Sequence, residues 1–109
     1  MNEISTIINT IKKFNEEREW EQFHNPKDLA ISISVEANEL LECFLWKKPE
    51  EANLDKIKEE LGDVLICSFQ MAYTCGIDIE KIMNDKIAVN AKKYPVEKAK
   101  GNATKYDSL

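Results

Sequence analysis

The sequence holds a single histidine, His24, and three cysteines with no CxxC spacing. Structural zinc sites take their ligands from clustered Cys and His, and nucleophilic triads need a placed imidazole, so both chemistries have little to work with. Glycine and proline are equally sparse, three of each among 109 residues. Few turn-formers favour a small number of long helices over many short strands. No apolar run approaches the roughly 20 residues that a membrane span requires. Met1-Asn2-Glu3-Ile4-Ser5 shows no basic segment followed by an apolar one, so no secretory signal is expected. Cys43, Cys67 and Cys75 fall in apolar helical stretches and read as free, packed thiols in a reducing, cytoplasmic setting.

What is present is charge and helical periodicity. A chain with 43% hydrophobic and 32% charged residues suits one globular domain with one core. The net charge of −5 is unevenly spread: residues 86–109 carry six lysines against Glu97 and Asp107, a net +4, which leaves −9 on residues 1–85. An acidic body with a basic C-terminal segment suits a polyanion held through a metal, rather than a nucleic acid polymer or a membrane.

Ile4, Ile7, Ile8, Ile11 and Phe14 recur at helical spacing and predict a helix over 2–19, followed by a loop from Trp20 to Lys27. Asn25-Pro26-Lys27-Asp28 predicts a capped helix start, with the helix running to about Trp46 before Pro49. A third helix is expected from Glu51–Leu54 to Cys75, ended by Gly76. A fourth is expected from an Asp78 cap to Lys93, ended by Tyr94-Pro95. The expected architecture is an all-α four-helix bundle over residues 1–95, with a basic, mobile tail at 96–109. Val64 to Ala72 is apolar nearly all round, which a small monomer cannot bury, so a homo-oligomer is expected.

Two acid pairs stand out. Glu36/Glu39 and Glu60/Asp63 are both spaced i,i+3 and project from one face of their helices. Such pairs are common on solvated faces. Here, however, Glu36 falls inside the stripe Leu29, Ile33, Leu40, Phe44, and Glu60 inside the stripe Ile57, Val64, Cys67, Met71. Two helices packed through these stripes bring carboxylates into a partly buried space, with too few nearby lysines or arginines to pair them all. Buried carboxylates protonate, pair or hold a cation. A hard divalent cation with oxygen ligands, Mg²⁺ first and Mn²⁺ as the alternative, suits this set.

The order ExxE, then ExxD, then Lys86-xxx-Asn90-xx-Lys93-Tyr94-Pro95 resembles the MazG-like all-α nucleoside triphosphate pyrophosphohydrolases. Residues 17–24 (EREWEQFH) and Phe44-Leu45-Trp46-Lys47 are similar to their single-domain, dCTP pyrophosphatase-like branch. The resemblance implies a Mg²⁺-dependent hydrolase that cleaves a nucleoside triphosphate to monophosphate and pyrophosphate, on a helical bundle that forms dimers or tetramers. It implies metal ligation by Glu36, Glu39, Glu60 and Asp63, with Glu36 or Glu39 activating water. It also implies phosphate contacts from Lys86, Asn90 and Lys93, and a base flanked by Trp20, His24 and Trp46. Asn38, His24 and Gln22 are the polar side chains then expected to read the base. Where the branch carries a tyrosine one turn after the ExxD aspartate and a histidine on helix 1, this chain has Cys67 and Ile11, so a strict preference for cytosine does not carry over.

Two other classes compete. A non-catalytic helical-bundle interaction or nucleotide-binding module explains the amphipathic helices but not carboxylates inside two apolar stripes. A di-iron carboxylate bundle calls for Glu-xx-His pairs, and the lone His24 in a loop argues against it.

Overall fold

The computed structural model describes residues 2–109, and these contain helices but no strand. The chain divides into two compact units, residues 1–77 and 78–109.

In the first unit α1 (Glu3–Glu17) is capped by Asn2, whose side chain accepts from the Ser5 amide at 2.8 Å. The helix ends in paired reverse hydrogen bonds, Glu19 N to Glu16 O and Trp20 N to Asn15 O. This closure requires the left-handed region at its turning residue, and Glu19 occupies it with φ 53° although it is not glycine. Phe14 and Trp20 then meet edge to face, 5.6 Å between ring centroids, which is the apolar contact that accompanies this closure. The turn thereby sets Trp20 against the end of α1. The expected loop contains one turn of 3₁₀ helix, Glu21–Phe23.

α2 (Pro26–Glu42) begins as expected, with Asn25 Oδ1 accepting from Asp28 N. It stops four residues short of Trp46. Beyond Glu42 the amides of Cys43, Phe44 and Leu45 reach back only three residues, and Trp46 turns left-handed with φ 62°. The tightened turn consumes the last carbonyls, and the left-handed residue redirects the chain before Pro49. α3 (Leu54–Thr74) is capped by Asn53 and ends in the same reverse closure as α1, here with Gly76 at φ 67°. α3 packs against both α2 and α1. The core is small: Ile11, Leu29, Cys43 and Ala72 are the buried apolar residues of this unit.

In the second unit α4 (Ile79–Lys93) is capped by Asp78, which accepts from Lys81 N at 3.0 Å. A short α5 (Val96–Ala99) and a 3₁₀ turn at Tyr106–Ser108 follow. Tyr106 packs on Tyr94 at 6.0 Å, and Lys93 Nζ lies 4.8 Å from the Tyr106 ring centre. Much apolar side chain stays on the surface, including Leu61, Leu65 and Ile66 on α3 and Ile82, Met83, Ile87 and Val89 on α4.

Candidate active site

The packing of α2 on α3 brings Glu36, Glu39, Glu60 and Asp63 together. One ligand oxygen from each lies within 4.8 Å of the others. Glu60 is the deepest, 9% exposed. Its Oε2 is buried without a hydrogen-bond partner, and so is Glu36 Oε2 across the helix pair. Lys56, one turn ahead of Glu60, lies 3.6 Å from Glu60 Oε1, but it is shared with Glu59 at the same distance. One exposed lysine leaves the cluster electrostatically short of positive charge. That shows at Glu39, whose carboxyl is held above its usual range by its hydrogen bond to Glu36 and then by that group's negative charge. Lys56, drawn into the field of Glu59 and Glu60, holds its proton more tightly than usual.

The donor set fits a metal ion. Four carboxylates converge, two of their oxygens are buried and unpaired, and hard oxygen ligands of this kind suit a divalent cation.

A cavity of about 430 Å³ opens one turn away, lined by Phe14, Trp20, Phe23 and His24 and by Cys67 and Gln70 of α3. Ser32 and Cys67, which also border it, lie one turn from Glu36 and Asp63, so the carboxylates stand at its edge. The charges of Glu36 and Asp63, after burial itself, raise the Cys67 thiol pKa. His24 Nδ1 is buried and unpartnered. On the other side of the cluster lies a polar cavity of about 530 Å³ bordered by Glu39, Glu60, Lys47 and Lys56.

The other expected site residues are distributed less simply. Trp20, 45% exposed, lines the aromatic cavity together with Ile11. Trp46 does not: it is 99% exposed and borders none of the cavities described here. Asn38 is exposed and donates to the Ser34 carbonyl, and Gln22 donates to the Glu19 carbonyl, both away from the cavity. Lys86 and Asn90 lie one turn apart on the exposed surface of α4, and Lys93 is engaged with Tyr106. Sequence reading missed two polar residues at the cavity, Asn15 and Gln70, because each falls at a helical position where only the facing helix decides whether it is buried.

Comparison with known proteins identifies the lineage. A family model described as the MazG-like family matches residues 31–109, a span that contains all four clustered carboxylates. The chain belongs to the MazG-like family. Among MazG-like relatives, dCTP pyrophosphatase 1 of Bos taurus is 36% identical over 105 residues, covering 89% of this chain. The Homo sapiens protein of the same name is 34% identical over the same share. This chain spans 62% of the length of those relatives. A crystal structure of a pyrophosphatase from Archaeoglobus fulgidus DSM 4304 superposes with a TM-score of 0.81 at 30% identity, over 87% of this chain and 94% of that one. The MazG-like chain thus shares an all-α fold with a solved pyrophosphatase across most of its length.

Proposed function

We propose that this MazG-like chain is a Mg²⁺-dependent nucleoside triphosphate pyrophosphohydrolase. It would cleave a deoxynucleoside triphosphate to the monophosphate and pyrophosphate, with pyrimidine substrates such as dCTP, or a modified nucleotide removed from the pool, preferred. The observation that carries this reading is the convergence of four carboxylates, two with buried unpaired oxygens, at the edge of an aromatic cavity. The names of the relatives and of the solved structure point the same way.

Glu36, Glu39, Glu60 and Asp63 would hold the cation, with Mg²⁺ favoured by hardness and abundance and Mn²⁺ as a substitute. When bound, it supplies positive charge against the triphosphate oxygens and makes nearby water more acidic. The chain's own contribution is positional. Carboxylates fixed on two packed helices set where the triphosphate lies, and a carboxylate of the Glu36/Glu39 pair not engaged by the cation takes the proton of the attacking water. Lys86, Asn90 and Lys93 are assigned to the phosphate oxygens. Trp20, His24 and Trp46 are assigned to flanking the base.

The exposed apolar side chains of α3 and α4 favour self-association as a homodimer or homotetramer. The body is assigned to residues 1–95 and the basic tail to 96–109, in a cytoplasmic setting that suits three free thiols.

The deciding experiment is a nucleoside triphosphate panel with Mg²⁺, read by pyrophosphate release. Release that requires Mg²⁺ and vanishes in Glu36→Gln supports the reading. Nucleotide binding with no release by any substrate would leave the non-catalytic nucleotide-binding module instead.

A further inference from the structure

α1 and α3 are joined by a polar network inside their contact. Asn15, only 2% exposed, donates through Nδ2 to Gln70 Oε1 at 2.7 Å and to the Tyr73 hydroxyl oxygen at 2.9 Å. Gln70 is itself 7% exposed. Buried carboxamides are unfavourable unless their donors and acceptors are satisfied. Here the satisfaction is incomplete. The two Asn15 N–H groups are used, but Asn15 Oδ1 and the Gln70 Nε2 amide group make no hydrogen bond among the described residues. Both side chains line the cavity that contains Trp20 and His24. The unused donor and the unused acceptor are therefore available to whatever occupies that cavity.

The network also has a direction. Tyr73 faces a separate polar cavity of about 370 Å³ with Lys12, Glu16 and Glu21. Burial raises the Tyr73 pKa, the hydrogen bond from Asn15 works against that, and the nearby Glu21 charge adds to it. The hydroxyl oxygen accepts from Asn15 Nδ2 at 2.9 Å. That turns the Asn15 Nδ2 group toward Tyr73 and Gln70, and its Oδ1 away from them. An asparagine or glutamine amide otherwise presents either end.

We propose that Gln70 and Asn15 read the Watson–Crick edge of the base, and that Tyr73 is the positioning residue that fixes which end of each amide is presented. This rests on the nucleotide reading given above and adds where base discrimination resides. Stacking on Trp20 accepts any base, so identity has to come from hydrogen bonds. A pyrimidine offers N3 and position 4 as neighbours. Cytosine presents an acceptor and then a donor, whereas uracil and thymine present the reverse. A fixed amide pair accommodates one order for a given placement of the ring. The opposite order leaves buried groups facing like groups, which a polar site rejects strongly. Asn15 and Gln70 thereby supply polar readout in a cavity where Ile11 and Cys67 supply none.

The test uses full-length protein, Mg²⁺ and the non-hydrolysable α,β-methylene analogues of dCTP and dUTP, titrated calorimetrically, beside pyrophosphate release from dCTP and dUTP. Wild type should separate the two analogues by about tenfold or more. Gln70→Leu and Tyr73→Phe should each bring the ratio to within about threefold. Tyr73→Phe removes one oxygen from a half-buried ring and retains both amides, so it keeps the test valid if a Gln70 or Asn15 variant fails to fold. A purely structural role would weaken both analogues by the same factor and leave the ratio alone. Equal affinities in wild type, an unchanged ratio in Tyr73→Phe, or binding of neither analogue would overturn the proposal. A clear preference in binding with no pyrophosphate released would remove the hydrolase reading and leave this one standing.

Discussion

Glu36 and Glu60 face each other from α2 and α3, each with its Oε2 buried and without a hydrogen-bond partner. Both interrupt apolar stripes, and Lys56 reaches only the other oxygen of Glu60. Buried, unpaired carboxylate oxygens are unfavourable in a metal-free protein, so this contact is a local cost to the stability of the fold.

Neutral amides at these positions should therefore separate function from folding. Glu36→Gln and Asp63→Asn are expected to abolish Mg²⁺-dependent pyrophosphate release, by at least about 100-fold for loss of a charged group at the reacting centre. The melting temperature of the metal-free protein should hold or rise, because the substitution relieves like-charge repulsion. Release at wild-type rates in both variants would remove the cluster from the active site.

The raised proton affinity of Glu39 contributes to the pH dependence of the metal-free protein. Its folded-state pKa lies above the ordinary value of 4.5 because of the hydrogen bond to Glu36 and that group's charge. The folded state thus binds more protons than the unfolded chain in the window above 4.5. The contribution of Glu39 to stability is fully present below that window and is lost as pH rises through it. Thermal melts in chelator across this range should show the decline, and Glu36→Gln, which removes the principal cause, should flatten it. Saturating Mg²⁺ should add stability toward neutral pH, since it binds the ionised form.

Trp46 combines full exposure with a left-handed backbone. Trp46→Gly should relieve that conformation and stabilise the fold by up to about 1 kcal/mol. If the indole stacks on the base, Trp46→Ala should raise KM for every nucleotide by a similar factor, roughly 5- to 100-fold. Unchanged KM values, or a change confined to one base, would return Trp46 to the role of an ordinary surface residue.

Leu61 and Leu65 lie one turn apart on the exposed side of α3. Leu65→Glu places a charge in that apolar face and should shift the protein toward monomer in sedimentation velocity at micromolar concentration. A wild-type protein that is already monomeric there would contradict self-association.

The elements legible in the sequence were those governed by neighbours three or four residues apart. Asn25, Asp78 and Gly76 act as the predicted cap, cap and terminator because their hydrogen bonds close within one turn. The i,i+3 spacing also placed each acid pair on one helix face, and two stripes sufficed to pair the faces. The end of α2 was misjudged because a left-handed Trp46 has no sequence signature: glycine or asparagine would have announced it, and tryptophan does not.

What only the tertiary structure decided is the far side of the cavity. Asn15 and Gln70 are 55 positions apart, and each alone is an unremarkable polar residue on an amphipathic helix. Their pairing depends on the rotation and offset with which α1 meets α3, set by the sum of many side-chain contacts rather than by any local period. Sequence by itself determined the helices and the carboxylates. The packing angle determined which amides stand beside Trp20, because burial is a property of the facing surface and not of the residue.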